Sequence, residues 1–80
     1  MKPDRTPKPR TLDLRPLIAR GEEPFDLIME TVAGLRSGER LLIITPFLPS
    51  PLIERLQADG FQAHPERRHD GSWTTLFSPG

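Results

Sequence analysis

The chain has no cysteine. That absence excludes disulfides, thiolate metal sites and any persulfide chemistry. Long apolar runs are missing too: the longest aliphatic run, Leu41 to Ile44, is far too short to cross a bilayer. The N-terminus carries no apolar segment of the kind a secretory signal needs, so a cytoplasmic protein is the expectation. There is no excess of charge of either sign, and the formal net charge is zero. The balance is uneven, however. Residues 1–10 hold four basic side chains, three prolines and Asp4, whereas residues 11–80 hold seven basic against ten acidic side chains. An acidic body argues against a nucleic-acid platform.

Eighty residues make one domain. Residues 1–10 have no large apolar side chain after Met1, so they read as a disordered basic tail that cannot offset its ordering entropy. Residues 11–80 then form a single small domain. Residues 11–15, Thr-Leu-Asp-Leu-Arg, alternate with the strand period, placing Leu12 and Leu14 inward and Asp13 and Arg15 outward. Pro16 ends that strand, and residues 17–21 read as a loop. Glu22, Glu23 and Pro24 open a helix with the acidic first turn and early proline that helix starts favour. Phe25, Ile28, Met29, Val32 and Leu35 form its apolar stripe, and Ser37-Gly38 its end.

Residues 40–45, Arg-Leu-Leu-Ile-Ile-Thr, read as a strand that is central in its sheet or covered on both faces. Pro46 closes it before an apolar loop, Phe47-Leu48-Pro49. Ser50 as cap and Pro51 as first helical residue start a second helix that Asp59-Gly60 ends. Residues 61–67 read as a strand that Pro65 either places at an edge or breaks. Asp70-Gly71 is a hairpin turn into a last strand, with Trp73, Thr75 and Phe77 on one face. The order β-α-β-α-β-β predicts an α/β (α+β) two-layer sandwich, a mixed four-stranded sheet with two helices on one face.

These residues resemble the TusA/SirA-type sulfur carriers. Leu12-Asp13-Leu14-Arg15 stands where those carriers have an Asp-containing first strand, and Ser37-Gly38-Glu39 looks like their turn into the central strand. Their Cys-Pro-Glu-Pro motif is replaced here by Gly21-Glu22-Glu23-Pro24, in which only Glu23 and Pro24 match. The chain is most similar to the cysteine-less prokaryotic branch, a domain of unknown function, through its Leu-Asp-x-Arg opening, its Gly-Glu turn and Pro49-Ser50-Pro51-Leu52. It departs from that branch in having Phe47-Leu48 where many members have His-Asp. The resemblance implies a carrier scaffold, often associated with redox and nitrogen-oxide handling proteins. Glycine at position 21 excludes sulfur relay by the carrier mechanism.

The remaining candidates each have two readings. Backbone N–H groups around Gly21, at the start of the helix, offer an anion site, against which stand Glu22 and Glu23; the plain alternative is helix-end complementation and a turn. Asp13 and Arg15 pair with a neighbour or line a pocket. His64, Glu66, His69 and Asp70 carry metal-ligand chemistry, or are solvated polar groups; no metal or other cofactor is expected. Phe47, Leu48, Trp73 and Phe77 are surplus apolar groups of the kind that mark an interface, with core packing as the alternative for Trp73 and the favoured reading for Phe77. No nucleophile–base arrangement is present. The expectation is a non-catalytic binding or adaptor module with a protein partner or a second copy of itself. Two rivals stand beside it: a small-ligand binder or enzyme at the first helix entrance, and an RNA-binding module resembling a domain of a bacterial translation initiation factor.

Overall fold

A computed structural model describes residues 8–80. Most of the expected basic tail lies outside the described residues. Its last member, Arg10, belongs to the fold. It opens strand β1 (Arg10–Asp13), donates to the Glu39 carboxylate through two nitrogens at 3.1 and 3.3 Å, and is one residue earlier than the expected strand start.

After β1 come a short helix α1 (Arg15–Ala19), helix α2 (Phe25–Ala33), strand β2 (Leu41–Thr45), helix α3 (Ser50–Ala58) and the hairpin strands β3 (Phe61–Arg67) and β4 (Trp73–Pro79). The sheet order is β1-β2-β4-β3, with β1 parallel to β2 and the other pairs antiparallel. This is the mixed four-stranded α+β sandwich the patterns predict. The aliphatic run of β2 is central, and the proline-bearing β3 is an edge, where a missing N–H is tolerated.

Register decides which side chains share a face. Leu41, Ile43 and Thr45 lie opposite Phe77, Thr75 and Trp73, and Ala63 lies opposite Phe77. This face meets Ile28 of α2 and Leu56 of α3, and together with Leu14 they make the core. Trp73 and Phe77 therefore both belong to the helix-covered face. Phe77 is fully buried, while Trp73, at the end of the strand, is half-buried. The opposite face carries Leu42, Ile44, Thr74, Leu76, His64 and Glu66, with no helix over it. The second covering that the aliphatic run allowed for β2 is absent among the described residues.

Three local expectations are corrected. Residues 17–21 are not a plain loop. Pro16 lies in the first turn of α1, where its lost N–H has no intrahelical partner to miss, so it starts a helix as well as ending a strand. Helix α2 stops at Ala33, with Gly34 at its C-cap, and Gly38 turns the chain four residues later. Helix α3 begins at Ser50 itself, and the Ser50 hydroxyl makes no capping bond. The hairpin turn is where the sequence places it. Gly71 has φ +87°, and the Arg68 N–H donates to the Ser72 carbonyl at 2.8 Å across the loop.

Candidate functional site

The chain leaves β1 in two directions at once. Asp13 goes to the uncovered side of the sheet, and Leu14 goes into the core. Two distinct surfaces follow.

On the Leu14 side lies a cleft of about 500 Å³. Leu14 and Ile18 form one wall, Ile28 and Leu52 come from α2 and α3, and Phe25, Phe47, Pro49 and Pro51 close the sides. Gly21, Glu22, Glu23 and Pro24 line it between α1 and α2. Thr45 holds the loop in place, its hydroxyl donating to the Phe47 carbonyl at 2.6 Å. The loop presents apolar groups to water: Phe47 is 52% exposed and Leu48 41%. Phe25, expected on the buried stripe of its helix, is 40% exposed. It is the first residue of α2 and lies beyond the reach of the core; the Arg55 guanidinium sits 5.7 Å from its ring centroid instead.

Gly21 has a local explanation. It ends α1 with φ +77°; its N–H donates to the Ile18 carbonyl at 2.9 Å, and the Glu22 N–H donates to the Leu17 carbonyl at 3.1 Å. That is the paired closure of a Schellman motif, which favours glycine at its left-handed position. The N–H groups of Gly21 and Glu22 expected to attract an anion are thus consumed by α1, a helix the sequence reading left out. At the next helix, the Phe25 N–H donates to the Glu23 carboxylate at 2.9 Å, so Glu23 itself serves the start of α2. Glu22 accepts from Arg20 at 2.6 Å.

On the Asp13 side the polar groups answer one another. Arg15 donates from two nitrogens to Asp13, at 2.8 and 2.9 Å, and reaches Asp70 of the hairpin turn at 3.4 Å. Asp70 accepts the hydroxyl and the N–H of Ser72 at 2.5 and 2.9 Å. The Arg15 side chain, then its N–H, holds the Asp13 carboxyl below its ordinary pKa. The Ser72 hydroxyl, then its N–H, does the same for Asp70. Arg15 is the first residue of α1 and no strand residue, and neither it nor Asp13 lines the cleft.

The structure brings Gly21, Glu23, Pro24 and Phe47 together, with Leu48 beside them in the loop. Trp73 stands apart at the start of β4. His64 and Glu66 sit on the uncovered face and His69 in the turn; no three metal-ligating side chains converge among the described residues. That face also carries Asp13 and, by register, no phenyl or indole ring. No helix among the described residues is long and apolar enough to cross a membrane. Sequence reasoning missed Ile18, Phe25 and Leu52 as parts of the site. The available signal was Arg15-Pro16 as a third proline-marked helix start, which turns Ile18 back toward Leu14.

The sequence of residues 11–79 matches the family described as uncharacterized conserved protein, DUF2249. The chain belongs to that family. Comparison with curated proteins and with solved structures found no match. Membership extends over both surfaces just described, and the family description assigns neither of them a role.

Proposed function

We propose that this member of the DUF2249 family is a non-catalytic binding module that seats an apolar segment of a protein partner in the cleft between α1, α2 and the loop before α3. The observation that carries this reading is the exposure of Phe25 and Phe47 on the walls of one concave apolar site, continued by Leu48. Clustered apolar groups left in water mark interaction surfaces. The likeness to TusA-type carriers supports the same place. Position 21, where a carrier of this shape has its reactive cysteine, lies on the cleft, so the surface that serves transfer in those carriers would here serve docking alone. A redox or nitrogen-oxide system in the cytoplasm is the setting that this likeness suggests.

The test is a photo-crosslinking residue placed at Leu48 in the full chain in its own cells. The expected result is one discrete protein adduct, lost when Phe25→Asp is added. The same group at His64 on the uncovered face gives none. Equal adducts from both positions, or none from position 48, would sink the reading.

A second reading rests on the cleft's size, which falls within the range of small-molecule sites. A native mass spectrum separates the two. A small added mass on the purified chain, removed by Phe47→Ser, favours a small ligand over a protein segment.

A further inference from the structure

The cleft wall carries a carboxylate that, among the described residues, forms no ion pair. Glu22 is matched by Arg20, and Arg55 is engaged with the Phe25 ring and with Asp59 at 3.3 Å. Glu23 lines the cleft and accepts the Phe25 N–H through Oε1, yet among the described residues it has no cationic partner. Among the described residues, no lysine, arginine or histidine lines the cleft. Two phenyl rings do; that of Phe25 already holds the Arg55 guanidinium, and that of Phe47 is the one that would attract a ligand's cation through its quadrupole. A carboxylate without an ion-pair partner, the Phe47 ring and an apolar floor are complementary to an apolar side chain with a positive charge close beside it.

We infer that the segment which docks in the cleft carries a lysine or arginine next to its apolar anchor, and that Glu23 selects it. This rests on the binding-module reading above and adds the specificity of the same site. The apolar anchor supplies most of the affinity by leaving water. The basic residue supplies discrimination, because a segment with an acidic residue there would set like charges together.

The probes are three acetylated, amidated peptides, Gly-Ser-Xaa-Leu-Phe-Leu-Ser-Gly, with lysine, serine or glutamate at Xaa. Each is titrated to millimolar concentration into the full chain at low salt while backbone amide resonances of Gly21, Glu22, Glu23 and Phe47 are followed. The expected order of affinity is lysine, serine, glutamate. Glu23→Gln, which still accepts the Phe25 N–H, should weaken the lysine peptide by up to about fivefold, the scale of an exposed ion pair. It should leave the serine peptide unchanged. Equal binding of all three peptides, or an unaltered preference in Glu23→Gln, overturns the inference and leaves the cleft as a docking site. If no peptide moves these resonances, the cleft reading falls with it.

Discussion

Asp13 and Leu14 are neighbours in the chain and open two surfaces with opposite logic. On the Asp13 side, Arg15, Asp70 and Ser72 complete one another's hydrogen bonds, and the network spans from the first strand to the hairpin turn. On the Leu14 side, apolar groups are brought together and then left in water. The polar network closes within the chain, whereas the cleft leaves apolar surface in water. On the reading proposed above, the contrast separates a structural motif from a binding surface, where residue type alone would favour the charged cluster.

The largest expected effect lies on the cleft side. Leu14 is both cleft wall and core, at 1% exposure, and Leu14→Ala should cost about 2–5 kcal/mol in urea unfolding. A cost below about 1 kcal/mol would mean that the cleft wall is separable from the core. Thr75 provides the polar counterpart. Its hydroxyl is the one buried side-chain polar atom without a partner among the described residues. Thr75→Val should therefore raise stability by about 1 kcal/mol, because an unmet donor is removed with little change of shape. A loss would show that the hydroxyl has a partner after all.

The Asp13 side should announce itself in pH dependence. Asp13, Asp70 and Glu39 all have folded carboxyl pKa values below the ordinary 3.8 or 4.5. For Glu39 the leading cause is the Arg36 N–H. A carboxyl whose pKa falls on folding binds fewer protons in the folded state, so its contribution is present above the ordinary value and lost as pH falls toward the folded one. Stability should hold from neutrality to about pH 5 and decline below about pH 4. Asp13→Asn should flatten part of that decline, and an unchanged profile would remove the network's structural role. The smallest stability effect is expected at Phe47→Ser, within about 0.5 kcal/mol, although it strips the cleft of an exposed ring.

Much of the fold was legible because its signals are local. The period of residues 11–14, the aliphatic run of β2, Pro65 at an edge and Asp70-Gly71 at a turn each act within a few residues. Helix α1 was not, since Pro16 is compatible with a strand end and a helix start, and five residues are too few for a stripe. That omission carried to Gly21, whose N–H groups read as free only while α1 is missing. Phe47 and Leu48 were legible as surplus apolar groups in a loop. The cleft was not, because Leu14 with Ile18, Phe25, Phe47 and Leu52 come from four segments whose convergence is a property of the packed chain. Trp73 and Phe77 share a face by strand period, but only the pairing of β4 with β2 says that it is the helix side.

The four-segment construction of the cleft links occupancy to folding. Residues 14, 18, 25, 47 and 52 meet only in the native chain, so whatever fills the cleft binds the native state and has no comparable site in the unfolded one. Its free energy of binding is then added to the melting transition, by about 2.7 kcal/mol at a hundredfold excess over the dissociation constant. A partner that fills the cleft, as proposed, would therefore be recognised by the rise in melting temperature that it causes.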